Sequence, residues 1–338
     1  MSMIFTKEKI ELVKERINKA NKIAIIGHKS PDGDAVGSCL ALQMIIEKQG
    51  KKAVSIVPDR FPDFLKWMTK SETVLQYDTQ KNKVEEILLE ADMIFMLDFN
   101  ATHRVGKLKE SLESAKGFKV MIDHHQQPED CCEVIFSDTK SCSTAQMIYE
   151  FVDALGLVSE IDVDIAANIY TGIMTDTGSF RFAATTAKTH RIAADLMDLG
   201  LEHHLVHQFV YDTNSLNRLR LMGYSLSEKL RVYPEKGAAL ISLSEQELKS
   251  FDYKKGDTEG LVNYALSIGG VKMAVFMAQK DGVVKISFRS KGDFSVNQVA
   301  REHFNGGGHI NAAGGMLEMS LEDAINKFET LLPNLVIE

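Results

Sequence analysis

Four short clusters of aspartate and histidine stand out in the 338-residue sequence, because side chains of these types can hold divalent cations and exchange protons. The first is GHKSPDGDAVGS, Gly27 to Ser38, which packs His28, Asp32 and Asp34 close together. Two carboxylates one glycine apart can reach neighbouring ions, while Gly33 lets the backbone turn tightly. Pro-Asp-Gly-Asp is also good turn and helix-cap chemistry, so on this segment alone both readings stand. The second cluster is Asp98, which closes MIFMLD; a lone aspartate there is usually a cap or loop residue. The third, Asp123-His124-His125, closes KVMIDHH, and two adjacent imidazoles after a carboxylate are harder to explain as packing. The fourth is Asp176 in TGIMTDTGSF, which by itself reads as a solvated loop carboxylate.

Brought to one rim, His28, Asp32, Asp34, Asp98, His124 and Asp176 would combine four carboxylates with two imidazoles. Four carboxylates cannot all stay ionised at close range without cations. Two divalent ions balance that charge to zero, and a bridging hydroxide can then attack phosphorus. The set lacks thiolate, which favours manganese-like ions over structural zinc. Far along the chain, Arg289 and Ser290 end a strand-like run, and Gly306, Gly307, Gly308 and His309 open NGGGHINAAGG. Such glycines can bring backbone N–H groups close to an anion, with His309 as a polar anchor. Phe180 and Phe182 read either as a base-stacking surface or as packing.

The elements that must position these residues are legible as pattern. KIAIIG from Lys22, AVSIVP from Ala53, MIFMLD from Met93 and KVMIDH from Lys119 read as buried parallel strands. Helical periodicity between them, as over Val36 to Gln49 and Val84 to Glu90, predicts a doubly wound α/β sheet. Ligands gather outside the carboxyl ends of such strands, where His28, Asp98 and Asp123 fall. Residues 164–174 read as a helix that delivers Asp176. From Thr186 to Arg231 the pattern is helical without strand signals, which predicts a connector between lobes. Beyond it, KMAVFMAQ and VVKISFRS flank Asp281-Gly282, a hairpin signal, and helical stretches run from Val296 to Phe304 and Leu321 to Leu332. The expected organisation is therefore a metal-binding domain over 1–185, a connector over 186–231 and a smaller α+β domain over 232–338.

Composition narrows the class. Hydrophobic residues at 44% and charged residues at 25% are ordinary for a soluble globular chain. A formal net charge of -8 argues against a broad grip on long nucleic acid, which needs many cationic side chains on phosphates. The N-terminal MSMIFTKEKIELVKERINKA reads as an amphipathic helix and not a signal peptide, and no apolar run approaches a membrane span. Cys39, Cys131, Cys132 and Cys142 show no CxxC spacing, so reduced thiols in the cytoplasm are expected. Adjacent Cys131 and Cys132 rarely supply tetrahedral zinc geometry.

These motifs together resemble the DHH phosphoesterase superfamily, named for a triplet like Asp123-His124-His125. The resemblance runs over essentially the whole chain: the opening PDGD stretch, strand-terminal Asp98, the triplet, TDTGSFRF, and the GGGH of a DHH-associated domain. It implies one metal on His28, Asp32 and Asp98, and another on Asp34, Asp98, His124 and Asp176, with Asp98 bridging. The expected cofactors are two Mn2+ ions, with Mg2+ or Co2+ as alternatives. Asp123 would sit behind the ligands, and His125 would face the substrate phosphate or leaving oxygen. Arg104 is similar to a family position near the metal cleft, or else is a surface arginine. Arg289, Ser290, Gly306, Gly307, Gly308 and His309 would clamp a second phosphate, with the active site in the cleft between lobes. The resemblance is nearest to stand-alone bacterial enzymes that degrade short RNA oligomers and remove the 3′ phosphate of 3′-phosphoadenosine 5′-phosphate. Alternatives are hydrolysis of cyclic or linear di-adenylate, pyrophosphate or polyphosphate, and a nucleotide sensor without turnover. No long duplex and no membrane are expected as partners, and a homodimer stays open.

Overall fold

The computed structural model describes residues 4–337 and divides into two units, 1–213 and 214–338. In the first unit the order is α1 (Lys7–Lys19), β1 (Lys22–Ile26), α2 (Gly33–Lys48), β2 (Lys52–Val57), β3 (Leu75–Gln76), α3 (Tyr77–Glu90) and β4 (Met93–Leu97). There follow α4 (Lys109–Ser114), β5 (Phe118–Asp123), β6 (Val134–Ser137), α5 (Thr144–Ala154), α6 (Val163–Asp176), α7 (Ala187–Asp198) and α8 (His203–Tyr211). The six strands pair in parallel in the order β3-β2-β1-β4-β5-β6.

Alternate residues of the central strands face opposite ways, so each strand feeds two cores. Ile23, Ile25, Phe95, Leu97, Val120 and Ile122 join a cluster with α1, α2, α5 and α6. Ala24, Ile26, Ile94, Met96 and Met121 join another with α3 and α4. Both faces are covered, which is why MIFML is apolar at every position. Strand order reverses between β1 and β4, and this switch point opens a crevice at the carboxyl ends of the strands. The four expected strands are present. The two-residue β3 and the four-residue β6 are too short for a period to show in sequence.

The second unit runs α9 (Leu216–Glu228), β7 (Leu230–Tyr233), β8 (Ala238–Leu243), α10 (Glu245–Ser250), α11 (Leu261–Leu266), β9 (Met273–Lys280) and β10 (Val283–Ser290). It closes with α12 (Val296–His303), β11 (Gly307–Gly308), β12 (Ala312–Leu317) and α13 (Leu321–Leu331). Its sheet order is β11-β12-β10-β9-β8-β7, antiparallel except for β8 with β9. The β9–β10 hairpin turns at Asp281 and Gly282, with φ of 52° and 76°, as the Asp-Gly pair predicts.

The helical stretch expected to be a separate connector is instead divided. Ile192, Ala193 and Leu196 of α7 and Val206 and Val210 of α8 pack into the first core. Leu221 of α9 packs with Ile241 and Leu261 in the second unit. Each helix has an apolar stripe that must be buried, and helical periodicity does not say against which sheet.

Candidate active site

The site is built at the ends of β1, β4 and β5 and completed by three helices. His28 follows β1; its Nδ1 lies 2.9 Å from the Lys29 carbonyl, which leaves Nε2 aimed at Asp98 Oδ2 (3.3 Å) and Asp32 Oδ1 (3.8 Å). His124, just past β5, is held in the same way: Nδ1 is 3.2 Å from the Ser141 carbonyl. Its Nε2 faces Asp176 Oδ2 (3.4 Å), Asp98 Oδ1 (3.5 Å) and Asp34 Oδ2 (3.7 Å). A ring whose Nδ1–H donates to a carbonyl presents the Nε2 lone pair, the orientation that metal-binding histidines require.

Asp98 divides its carboxylate between these two groups, and Oδ1 also accepts from the Thr144 hydroxyl at 2.9 Å. Its backbone is left-handed, with φ of 65°, a region that a non-glycine residue enters at a cost. Asp34 is buried in the first turn of α2, and both of its oxygens accept from the N-terminus of α5, from Thr144 N–H and Ala145 N–H at 2.7 Å each. Asp32 caps α2 through Asp34 N–H and Ala35 N–H, both at 3.1 Å. Cap and acidic-cluster readings of Pro-Asp-Gly-Asp therefore hold together. Asp176 is the last residue of α6 rather than a loop carboxylate.

Close packing of α2 and α6 sets the spacing. Gly33 is glycine for approach and not for a turn: it lies inside α2, where a Cβ would stand 2.4 Å from Thr175 Oγ1. A Cβ on Gly172 of α6 would stand 2.5 Å from Ala145 Cβ and 2.9 Å from Asp34 Oδ1. The His28, Asp32 and Asp98 donor atoms lie within 4.8 Å of one another, as do those of Asp34, His124 and Asp176.

Electrostatics show how crowded the charge is. Burial, reinforced by the charges of Asp98 and Asp176, pushes the Asp34 carboxyl well above its usual range. Burial also lifts Asp176, to about 6, where Asp32 and Asp98 add to it against the pull of His124. Burial opposes ionisation of Asp98 too, yet hydrogen bonds to His124 and His28 outweigh it and hold that carboxyl well below its usual range. Without cations the cluster must bind protons; this donor set, all nitrogen and oxygen, fits divalent ions that would take their place.

Behind the cluster, His125 Nδ1 is 2.7 Å from Asp123 Oδ1, and Asp123 Oδ2 accepts the His125 N–H at 2.9 Å. His125 Nε2 lies 3.3 Å from Arg104 Nη2. With Nδ1–H donating to Asp123, Nε2 is the acceptor in that contact. Arg104 is thus drawn to the site and is not a plain surface arginine; its Nε is buried with no hydrogen-bond partner. Thr144 escaped the sequence reading because Ser143-Thr144 looks like an ordinary helix start, and Ser143 is indeed the cap of α5.

In the second unit, the glycines and Ser290 are engaged within their own unit. Gly307 and Gly308 form a short strand paired with β12 and not an open loop. Gly306 N–H donates to the Ala300 carbonyl (3.1 Å) and Gly308 N–H to Asn297 Oδ1 (2.9 Å), so neither amide is held open for an anion. Glycine is needed there for approach: a Cβ on Gly306 would lie 1.9 Å from the Gly314 carbonyl oxygen. Ser290 is buried, donating to the Phe294 carbonyl (2.7 Å) and accepting from Asn311 Nδ2 (2.9 Å). His309 sits in the β11–β12 turn, its N–H donating to the Ala312 carbonyl (2.7 Å), and Arg289, next to last in β10, lies opposite that same Ala312 in the β10–β12 pairing. Phe180 packs on Tyr170 and His190, at 5.6 and 5.5 Å between centroids, whereas Phe182 is exposed. Among the described residues, no helix is long and apolar enough to cross a membrane.

Comparison with known proteins agrees with this architecture. The DHH family, N-terminal domain, matches residues 22–173, and the DHHA1 domain matches 239–334. The chain is 32% identical to the bifunctional oligoribonuclease and PAP phosphatase NrnA of Thermus thermophilus, over 95% of this chain and 92% of that protein. It is 27% identical to the cyclic-di-AMP phosphodiesterase PdeA of Listeria monocytogenes, over 93% of this chain but 48% of that protein. A crystal structure of an exopolyphosphatase-related protein from Bacteroides fragilis superposes with a TM-score of 0.93 at 41% identity, covering 97% of this chain and 96% of that one. The chain belongs to the DHH family of phosphoesterases, hydrolases of phosphoester bonds, with a DHHA1 domain after its DHH domain.

Proposed function

We propose that this phosphoesterase uses two Mn2+ ions to hydrolyse short oligoribonucleotides and 3′-phosphoadenosine 5′-phosphate. The observation that carries the two-metal part is the divided carboxylate of Asp98, with Oδ2 toward His28 and Oδ1 toward His124. His28, Asp32 and Asp98 would hold one ion, and Asp34, Asp98, His124 and Asp176 the other. Bound there, divalent ions supply a water of lowered pKa and positive charge for the phosphoryl oxygens. The protein's own groups do the rest. Asp123 fixes the His125 ring, whose Nε2 can exchange a proton with the leaving oxygen. Arg104 offers guanidinium donors to a phosphate oxygen from beside that ring.

The substrate class rests on likeness to NrnA over nearly the full length of both proteins. Arg289 and His309 are proposed as contacts to a second phosphate of the substrate. Ser290 and Gly306, Gly307 and Gly308 are proposed to support that clamp from within the second unit, in keeping with their hydrogen bonds and pairing there. Polyphosphate is a second reading, favoured by the description of the Bacteroides fragilis neighbour. The deciding experiment offers purified protein with Mn2+ a panel of di- to pentaribonucleotides, 3′-phosphoadenosine 5′-phosphate, cyclic di-adenylate and polyphosphate. Release of mononucleotides and of the 3′ phosphate should show the highest kcat/KM. Preference for polyphosphate or cyclic di-adenylate would replace this assignment.

A further inference from the structure

Three sulfur atoms form a chain of contacts, with Cys132 in the middle, outside the aspartate and histidine cluster. Cys131 Sγ and Cys132 Sγ lie 3.9 Å apart, and Cys132 Sγ lies 3.2 Å from Met96 Sδ. Met96 is fully buried on β4, while both cysteines are half-buried free thiols. A cavity of about 440 Å³ is lined by Met96 and Cys131 together with Glu113 and Glu129. Burial raises both thiols above their ordinary range, so they stand protonated and slow to oxidise.

Two adjacent cysteines alone make a poor tetrahedral zinc site. The thioether supplied by β4 changes the class of ligand, because thiolate and thioether sulfur together select soft d10 ions such as Cu(I). Planar three-coordination with bonds of about 2.3 Å spaces the sulfurs about 4.0 Å apart. The Cys131–Cys132 separation already matches that spacing. The Met96 contact has to open by roughly 0.8 Å, which a side chain with three rotatable bonds accommodates.

We propose that Met96, Cys131 and Cys132 form a three-sulfur site for a monovalent soft cation of the Cu(I) class. Binding releases two thiol protons and leaves a single negative charge on the complex. The test is an anaerobic titration of the reduced, metal-free full chain with Cu(I) against the competitor bicinchoninate, followed by X-ray absorption at the copper edge. One Cu(I) per chain with three sulfur neighbours at about 2.3 Å is expected. Met96→Leu should weaken binding roughly tenfold and reduce the count to two sulfurs. Cys131→Ser and Cys132→Ser should each lose the ion to the competitor. The site is overturned by failure of the wild type to compete, by nitrogen-dominated coordination, or by equal binding in Cys132→Ser. A Cys131–Cys132 disulfide that persists after treatment with a reductant would overturn it as well.

Discussion

Asp98 carries two burdens at once: it faces both imidazoles, and it does so from a left-handed backbone. Alanine would change both, whereas asparagine tolerates that conformation and keeps the shape, so Asp98→Asn isolates the charge. We expect Asp98→Asn to melt close to the wild type, bind at most one Mn2+ per chain and lose roughly 1,000-fold in kcat. Two Mn2+ ions by equilibrium dialysis together with an unchanged rate would remove the bridging role. His124 and His125 have different Nδ1 partners, a carbonyl for His124 and the Asp123 carboxylate for His125. The sequence marks both rings as reactive. Their partners belong to the folded backbone.

At the scale of elements, the spacing of the cluster is the spacing of α2, α5 and α6. Alanine at a helical glycine normally gains up to about 1 kcal/mol. At Gly172 the added methyl would meet Ala145 and Asp34 at 2.5 and 2.9 Å, and overpacking typically costs about 1–3 kcal/mol. Gly172→Ala should therefore destabilise the protein and weaken Mn2+ binding, measured by urea unfolding and metal titration; a stabilised variant would show that the helices do not set the site. Another local device is Glu247 in α10, which accepts from Ser244 N–H and the Tyr224 hydroxyl at 2.7 Å each and pairs with Lys229 at 2.7 Å. Burial opposes its charge, but Lys229 and Ser244 prevail and hold it near 2, below its ordinary 4.5. A carboxyl lowered on folding stabilises above its unfolded value, and that stability is lost as pH falls from 4.5 toward 2. Glu247→Gln should thus be less stable than wild type at pH 7, with the difference shrinking across that window in chemical denaturation. A difference independent of pH would assign the effect to packing.

At the scale of the whole molecule, chemistry and recognition are proposed to fall to different units, each with its own sheet and core. Arg289→Ala and His309→Ala should then leave Mn2+ occupancy and cleavage of bis-p-nitrophenyl phosphate unchanged. Both should lower kcat/KM for dinucleotides about tenfold to a hundredfold, the effect of losing one charge-assisted contact of about 1.5–3 kcal/mol. An equal fall on both substrates would assign the second unit to stability.

What the sequence by itself determined was local: the apolar runs of β1, β2, β4 and β5, the Asp281-Gly282 turn, and acidic or imidazole residues where β1, β4 and β5 end. Period and turn chemistry are properties of neighbouring residues, so they survive without a fold. Only the tertiary structure decided which distant groups meet. Thr144 reaches Asp98 across 46 residues and Asp34 across 110, and neither contact has a local signal. The same holds for the apportioning of α7, α8 and α9 between two cores, the strand made by Gly307 and Gly308, and Met96 beside Cys132. A periodic pattern states that a face must be buried; packing alone chooses what it is buried against.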